Sequence, residues 1–446
     1  MKRYMARESM LDTSVPALVV RQEWNPAHHA TLAVIRSLGR AGVAVHAFLE
    51  GPRVPAAHSR HLTERLPWWP AGADAEQRAA LLAEAAVRIG GRPVLYAMDD
   101  ASALMIAAYA EKLEGHVRLP GASPHLPELV ADKLELARLC DAAGVAHPEN
   151  EVPDSDQATL AAVARLGLPV IAKWARPWLL PPRPAYAPGV HPLRSTEVVT
   201  TAGQAVELFR RRLEAGSPLL LQRLIPATAG CDRFFHGYFG ADAHGAPVCR
   251  YGAAGLKELS WPRSAGLTAR GRWLPDERIE DVGRAIAAAA GYTGLLDLDL
   301  RWDPQAGDYA LLDFNPRLGA QFRLFADAGG LDLPRAAHLD LTGRPVPAAR
   351  PRPGRRFVVE IYDPLGAART LLPHRIGAAE RAYLCADDPA PFAVAAARTL
   401  RRAAARVPRS GGPIPEHSAA AAVDRDVAVD RDVAVDRDVD RDKVDQ

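Results

Sequence analysis

The chain has 446 residues, of which 48% are apolar and 24% are charged. At roughly 150 residues per domain, this length predicts about three folding modules, and the composition excludes a collagen-like, fibrous or wholly disordered protein. The 55 basic and 53 acidic residues give a net charge of only +2. Nucleic acid is not expected as a partner, because a polyanion-binding protein shows a basic excess or a long run of lysine and arginine.

The cysteines and the apolar stretches indicate the cellular compartment of the protein. Four scattered cysteines without a CxxC pair predict neither a disulfide framework nor a zinc site. The first 16 residues lack the apolar run of a signal peptide, and no apolar stretch approaches the roughly 20 residues that cross a bilayer. We therefore expect a soluble cytoplasmic protein that does not contact membranes.

The first 120 residues predict a small doubly wound domain. Short apolar runs alternate with segments in which apolar residues keep helical spacing, and this is the pattern of a parallel sheet covered by helices. The predicted elements are a strand at 17–20, a helix at 30–40, a strand at 43–49, a helix at 75–89, a strand at 94–97 and a helix at 101–113.

Polar residues that follow these predicted strands are candidates for substrate selection. Arg21 and Glu23 follow the first strand, and Asp99 and Asp100 follow the strand at 94–97. Ligands of open α/β sheets bind beyond the carboxyl ends of the strands, so these side chains are positioned to face a cleft. Ordinary loop positions are the alternative interpretation of each.

The rest of the chain predicts an α+β arrangement followed by a tail. Six prolines between 177 and 192 predict a long irregular loop. From about 409 the sequence repeats Val-Asp-Arg-Asp-Val-Ala, which predicts disorder, with an interaction segment as the alternative. The predicted elements are helices at 128–143, 202–214, 278–290 and 391–406, and strands at 168–173, 219–224, 234–239, 246–251, 295–302, 309–314 and 357–362.

Acidic residues on two consecutive predicted strands indicate a metal site. Alternate side chains of a strand share a face, so Asp313 and Asn315 lie together, and a hairpin would bring Asp297 or Asp299 beside Asp313. Carboxylates gathered on a sheet face repel each other unless a cation neutralises them, and Mg²⁺ prefers oxygen ligands. From these residues alone, an exposed acidic face with Asn315 capping a turn is an equal alternative.

Two lysines and an apolar strand suggest a nucleotide. Lys133 lies in the helix after the first domain, and Lys173 ends an apolar strand, where an ammonium group is suited to holding a polyphosphate. The strand at 219–224 runs into Ile225 and a proline, and its backbone groups would suit an adenine edge. Surface lysines and a plain core strand are the alternatives.

Taken in order, these segments resemble the ATP-grasp superfamily, and the span from about 17 to 400 resembles its carboxylate–amine ligase branch, including D-aspartate ligase-like members. Asp313-Phe314-Asn315-Pro316-Arg317 is the most specific match. The other matching segments are 32–45, 57–61, 132–133, 170–173, 221–226, 232, 255–259 and, more weakly, 387–391.

The resemblance implies a set of site residues. Mg²⁺, with Mn²⁺ as an option, would be held by Asp299, Asp313 and Asn315. Lys257, in a loop near the phosphates, and Arg317 would act in catalysis. ATP would contact Lys133, Lys173, Gln222, Arg223, Leu224, Ile225 and Asp232.

The resemblance also implies a reaction. The protein would be an ATP-dependent carboxylate–amine ligase that forms an amide or peptide bond through an acyl phosphate and releases ADP and phosphate. Its partners would be a small-molecule carboxylate and an amine, such as an amino acid or a peptide, and a homodimer is kept as an option. The alternatives are a nucleotide-binding module without turnover and another ATP-grasp reaction such as carboxylation.

Two features depart from the family pattern. Asp313 stands where the pattern usually has glutamate, so the metal would sit closer to the strand or be bound through water. The glycine-rich phosphate lid is absent after Lys173, and the proline-rich loop takes its place. Arg176, Arg183 and His191 are candidates for replacing the lid.

The expected fold class is α/β and α+β, with a pre-ATP-grasp doubly wound domain before a two-lobed ATP-grasp domain. The predicted boundaries are 1–120 for the first domain, 121–215 for the small lobe, 216–345 for the large lobe with the metal site, 346–408 for a C-terminal extension and 409–446 for the disordered tail.

Overall fold

The computed structural model describes residues 10–120, 125–181, 192–261 and 267–406. The predicted repeat tail and most of the proline-rich loop, including Arg183 and His191, lie outside these ranges. Within them, no helix is both long and apolar enough to cross a membrane.

The N-terminal part of the chain forms a four-stranded parallel sheet in the order β3-β2-β1-β4, with helices between the strands. All four residues of β1 are buried, as expected for a parallel strand that is covered on both faces. The elements are β1 (Ala17–Val20), α1 (His29–Arg40), β2 (Val45–Phe48), β3 (Glu64–Leu66), α2 (Ala75–Ile89), β4 (Val94–Ala97), α3 (Asp100–Ala108) and α4 (Ala110–Leu113).

The second part forms a four-stranded antiparallel sheet in the order β5-β8-β6-β7. Its apolar core includes residues of both α7 and α8. The elements are α5 (Leu126–Ala131), α6 (Lys133–Ala143), β5 (Asn150–Glu151), α7 (Asp156–Leu166), β6 (Val170–Trp174), β7 (Thr196–Val199), α8 (Ala202–Arg210), α9 (Arg212–Ala215) and β8 (Leu219–Arg223).

The third part forms a seven-stranded sheet in the order β13-β12-β9-β10-β11-β14-β15, which is antiparallel except for the last pair. One core cluster joins this sheet to α6 and α10, and another joins it to α1 and α11. The elements are β9 (Asp232–Ala241), β10 (Pro247–Trp261), β11 (Leu267–Trp273), α10 (Glu277–Ala290), β12 (Gly294–Asp303), β13 (Asp308–Asn315), α11 (Leu333–Leu341), β14 (Arg356–Val358), α12 (Pro364–Arg369), β15 (Ala379–Arg381) and α13 (Ala390–Arg406).

The helix predicted over 128–143 is wrong at Asp132, where the structure has a break. Asp132 takes an extended conformation, and its carboxylate caps α6 by accepting hydrogen bonds from the backbone N–H groups of Leu134 and Glu135. The apolar spacing continues across the break, so periodicity did not reveal it. The break makes Lys133 the first residue of α6.

The segment 255–259, predicted as a loop near the phosphates, is instead part of the long strand β10. The pairing of β10 with β11 is irregular between Lys257 and Leu259, as in a β-bulge. Lys257 therefore projects from a sheet, which fixes its direction more firmly than a loop would.

The C-terminal extension is bound to the first domain through the segment 387–391. Asp388 is 1% exposed, and its carboxylate accepts hydrogen bonds from Arg36, from the hydroxyl of Ser59 and from the backbone of Arg60. Two segments that matched the family pattern, 57–61 and 387–391, thus contact each other.

A buried histidine in the same region leads to a prediction about acid stability. His29 Nδ1 lies 3.3 Å from Nη2 of the Arg323 guanidinium, and the imidazole ring lies beside the rings of Phe357 and Tyr383. Burial and the Arg323 charge lower the pKa of His29 to about 3. In the unfolded chain His29 takes up a proton below its ordinary pKa of about 6.5, so folding stability is present above that pH and is lost as the pH falls towards 3.

We expect the free energy of unfolding to fall by about 1.4 kcal/mol on account of His29 when the pH is lowered from 7.5 to 5.5. The lower pH is one unit below the pKa of His29 in the unfolded chain. Urea unfolding of the wild type and of His29→Asn at both pH values measures the part of the pH dependence that is due to His29. His58→Asn, at an exposed position, is the control. Equal pH dependence in wild type and His29→Asn would contradict the prediction.

Candidate functional site

Four polar residues line one face of the β12–β13 hairpin. Asp299 lies directly opposite Asp313 in the antiparallel register, and Asp297 lies opposite Asn315. Residues opposite each other and residues two apart share a face, so all four side chains point the same way. The side-chain amide of Asn315 donates to the backbone oxygen of Asp297 at 3.2 Å.

Two of the predicted lysines converge on Asp313 from different elements. Lys133 Nζ, at the start of α6, lies 2.7 Å from Asp313 Oδ1. Lys173 Nζ, on β6, donates to the backbone oxygen of Leu312 at 3.0 Å and lies 3.5 Å from Asp313 Oδ1. β6 belongs to the small sheet and β13 to the large one, so the two sheets meet at this carboxylate.

The chain that leads into α6 brings these two lysines together. The backbone N–H of Lys133 donates to the oxygen of Ala175, two residues after Lys173. Arg176 donates to the capping carboxylate of Asp132 at 2.8 Å. Arg176, a predicted lid candidate, is therefore held by the helix cap.

The third predicted lysine neutralises the partner carboxylate. Lys257 Nζ donates to Asp299 Oδ1 at 3.1 Å. Although burial opposes protonation, Asp299 outweighs it and raises the pKa of Lys257. Three ammonium groups thus face the two carboxylates of the Asp299–Asp313 pair. The local excess of positive charge favours an anion with several oxygens.

The pKa values of this cluster follow from the same contacts. Burial favours the neutral forms of Lys133, Lys173 and Asp313. Asp313 nevertheless raises the pKa of Lys133, and Lys133 and Lys173 together lower the pKa of Asp313. For Lys173, burial and the neighbouring charge of Lys133 prevail and lower the pKa. A polyphosphate that entered would relieve this like-charge contact.

The residues predicted to contact adenine lie on β8 and just beyond it. Arg223 forms an ion pair with Asp303, and the side chain of Gln222 donates to Asn150 at 2.8 Å. Ile225 is buried, and Leu224 lies between it and the strand. The structure therefore uses the Gln222 and Arg223 side chains within the protein.

Asp232 lies at the start of β9 and is bound by Arg301, a residue that sequence reasoning missed. Arg301 Nε donates to Asp232 at 2.6 Å, and Arg301 Nη1 donates to the backbone oxygen of Ile225 at 3.0 Å. Arg301 is directly opposite Asp232 in the register of β9 and β12. It fixes the chain after β8 against the large sheet.

Arg317 lies between two carboxylates. Its Nη1 donates to Asp297 Oδ2 at 2.5 Å, and its Nε lies 3.4 Å from Asp100 Oδ1. Asp100 is one of the N-terminal candidates, so the first domain contributes to the site. His236, on β9, is fully buried, and its Nε2 lies 3.3 Å from Asp297 Oδ1. Sequence reasoning did not single out His236.

Gly319 explains why the Arg317 turn has this shape. A Cβ at Gly319 would overlap the imidazole of His236 and would approach the carboxylate of Asp297 to within 2.6 Å. Only a residue without a side chain fits between these groups.

We therefore expect Gly319→Ala to displace His236 or Asp297 and to misalign Arg317. Because a displacement of about 1 Å at a reacting centre costs on the order of 10²-fold in rate, we predict a loss of that size in any ATP turnover. Steady-state kinetics, with thermal unfolding to check the fold, tests this prediction. Gly203→Ala, in α8, has open space around its Cβ and no positive φ, and it serves as the control. Equal loss in both variants would contradict it.

The predicted metal ligands fit Mg²⁺ in number and in kind. Within the described ranges, no three histidine, cysteine or acidic residues form a metal cluster. The set here is two carboxylates and one amide, and Mg²⁺ commonly takes one or two carboxylates together with phosphate oxygens and water.

Comparison with known proteins establishes the fold. No family model matches the chain. The large chain of carbamoyl phosphate synthase from Clavibacter sepedonicus is 25% identical over 275 residues, which cover 60% of this chain and 22% of that protein. The chain thus spans about a quarter of the length of the curated relatives it matches.

Two solved structures are similar to this chain in fold. One is the biotin carboxylase domain of the 2-oxoglutarate carboxylase of Hydrogenobacter thermophilus, bound to MgADP and bicarbonate, with a TM-score of 0.55, 14% identity and coverage of 76% of this chain and 73% of that one. The other is the L-amino acid ligase of Bacillus licheniformis, with a TM-score of 0.53, 15% identity and coverage of 77% and 78%.

The fold is that of ATP-grasp proteins, and the predicted fold class is confirmed. The D-aspartate ligase-like assignment and the domain boundaries stay predictions.

Proposed function

We propose that the protein is an ATP-dependent carboxylate–amine ligase that works through an acyl phosphate. The observation that carries the proposal is the meeting of Lys133, Lys173 and Lys257 on the opposed carboxylates Asp299 and Asp313. Such a cluster has the charge and the ligand types that a magnesium–triphosphate requires. The likeness in fold to an L-amino acid ligase and to a carboxylase that binds MgADP supports the nucleotide.

In the proposed complex, Asp299, Asp313 and Asn315 hold Mg²⁺, which neutralises phosphate charge when bound. Lys133 and Lys173 turn from Asp313 towards phosphate oxygens, so the protein exchanges internal ion pairs for contacts with the nucleotide. The backbone of Leu224 and the N–H of Ile225 contact the adenine edge, and Asp232, held by Arg301, lies beside that segment. These roles are proposals for the residues named.

The proposed reaction has two steps. A substrate carboxylate oxygen attacks the γ-phosphorus of ATP, the bond from that phosphorus to the bridging oxygen breaks, and ADP leaves. An amine nitrogen then attacks the carbonyl carbon of the acyl phosphate, loses a proton and displaces inorganic phosphate. The chain's contribution is positioning and charge compensation: the lysines offset the phosphate oxygens, and Arg317 orients the substrate carboxylate.

The proposal is tested by incubating the protein with MgATP, a panel of carboxylic acids that includes amino acids, and hydroxylamine as the amine. Acyl phosphate transfers its acyl group to hydroxylamine, so a ligase yields a hydroxamate together with ADP and phosphate in equal amounts. ADP release that depends on bicarbonate and not on the acids would favour carboxylation instead. Nucleotide binding without ADP release on any arm would favour a module without turnover.

A further inference from the structure

One face of β12 carries four charged side chains in succession. Asp297, Asp299, Arg301 and Asp303 occupy alternate positions of this strand, so they share a face and follow one another at intervals of about 6.6–7 Å. Asp299 is a proposed metal ligand, and Asp297 pairs with Arg317. Arg301 therefore lies one interval from the metal ligand, on the opposite side from Asp297.

The guanidinium of Arg301 holds two groups that belong to different segments. Its Nε and Nη2 donate to the two carboxylate oxygens of Asp232, at 2.6 and 3.2 Å. Its Nη1 donates to the backbone oxygen of Ile225 at 3.0 Å. Asp232 begins β9 of the large sheet, whereas Ile225 follows β8 of the small sheet. One side chain thus joins the two ends of the segment that connects these sheets.

Stabilisation of the sheet accounts for only part of this arrangement. Arg301 lies directly opposite Asp232 in the register of β9 and β12, and oppositely charged residues at such positions stabilise many sheets. The bond to Ile225 is different, because Ile225 belongs to no strand of the large sheet. It fixes the backbone just after β8, which is the segment proposed to contact the base.

The backbone after β8 has hydrogen-bonding groups next to the one that Arg301 holds. The N–H of Arg223 donates to the oxygen of Glu149 at 2.9 Å, and the oxygen of Ile225 accepts from Arg301. Among the described residues, the N–H and the oxygen of Leu224 and the N–H of Ile225 have no backbone partner. Leu224 is partly exposed, so a ligand can approach a backbone donor and an acceptor there.

The same guanidinium orients Asp232 for a second group of donors. Both oxygens of Asp232 are held by Arg301, yet 22% of the side chain stays exposed. A carboxylate oxygen has two acceptor sites, so Asp232 can still accept from the hydroxyl groups of a sugar. Although burial opposes protonation, Asp232 raises the pKa of Arg301, so the guanidinium stays charged.

We propose that Arg301 is a positioning residue for the nucleoside part of ATP. It holds the backbone of Leu224 and Ile225 beside the carboxylate of Asp232, and these groups receive the base and the sugar. The triphosphate depends instead on the lysines and carboxylates around Asp299. This inference rests on the proposed function, and it gives Arg301 a role in binding the nucleotide but not in binding a polyphosphate.

The test compares two probes that share the phosphate groups and differ in the nucleoside. Wild type and Arg301→Met are titrated calorimetrically, as full chains, with MgADP and with magnesium tripolyphosphate. We expect Arg301→Met to bind MgADP about 10-fold more weakly or worse, the order of one lost charge-assisted hydrogen bond. Its affinity for tripolyphosphate should stay within about twofold of the wild type, because the lysine cluster is unchanged. Arg284→Met, which removes an exposed ion pair on α10, is the control for both probes.

Each result decides between the possibilities. Unchanged affinity of Arg301→Met for MgADP would overturn the inference. An equal loss for both probes would also overturn it, because a general distortion of the site acts on the phosphates as well. Both of these results leave the proposed function standing. A wild-type protein that fails to bind MgADP or tripolyphosphate would overturn the proposed function together with the inference.

A milder variant carries the same test if Arg301→Met does not fold. Arg301→Lys keeps the positive charge but loses the planar fork that reaches Asp232 and Ile225 together. We expect a smaller loss of affinity than in Arg301→Met, about threefold or more, again confined to MgADP. Wild-type affinity of Arg301→Lys for MgADP would show that the charge alone suffices and would overturn the positioning role.

Discussion

Replacing Asp313 with alanine is expected to abolish ATP turnover and to weaken nucleotide binding. Asp313 is a proposed metal ligand, and it also compensates the charges of Lys133 and Lys173. Removing one well-placed electrostatic group from an active site typically costs about 10²–10³-fold in kcat, and we expect at least that loss. ADP release measures the first effect, and calorimetric titration with MgADP measures the second.

Two companion variants make the Asp313 result specific. Asp308→Ala removes an exposed carboxylate from the start of the same strand and should leave turnover unchanged. Asp313→Glu restores the length that the family pattern usually has and should retain measurable activity. Far-ultraviolet circular dichroism should be the same for all three proteins. Full activity in Asp313→Ala would remove this residue from the proposed site.

Replacing Arg317 with lysine is the second change with a large expected effect. The guanidinium contacts Asp297 and Asp100 at the same time, and a lysine ammonium offers one point charge without that planar fork. We expect a loss of about 10²-fold or more in kcat, the order associated with one lost oriented donor, with little change in KM for ATP. Steady-state kinetics with varied ATP measures both.

The exposed Arg278→Lys on α10 is the matched control for this substitution and should behave like the wild type. Arg317→Ala should be more damaging than Arg317→Lys, because it also leaves the buried Asp297 without its ion pair. If Arg317→Lys retained full kcat, the proposed role of the guanidinium in orienting the substrate carboxylate would be wrong.

Pairing across the sheet shows why the sequence identified some site residues and missed others. Alternation along a strand placed Asp313 and Asn315 on one face, because the two-residue period of a strand is a local property. Whether Asp297 or Asp299 stands opposite Asp313 depends on the register of the hairpin. In the observed register Asp299 lies opposite Asp313, and Asp297 forms an ion pair with Arg317.

The periodicity of the sequence does not predict contacts between residues that are distant in the chain. His236 approaches Asp297 because β9 and β12 are neighbours in the sheet, although about 60 residues separate them in the chain. Gly319 then fits against His236. The break at Asp132 depends on a capping bond and on Arg176, whereas apolar spacing favoured one continuous helix.

The sequence by itself determined the parts of this protein that follow from local rules. Apolar runs and helical spacing are local patterns of a few residues, so they were enough to predict the parallel first domain and most helices and strands. The Asp-Phe-Asn-Pro-Arg motif carried the resemblance from which nucleotide chemistry is expected. Only the tertiary structure decided which charges meet. Three separate elements place Lys133, Lys173 and Lys257 beside two carboxylates, and the first residue of α3, Asp100, lies beside Arg317. Ion pairs between distant segments are set by how sheets and helices pack, and a one-dimensional pattern carries no record of that packing.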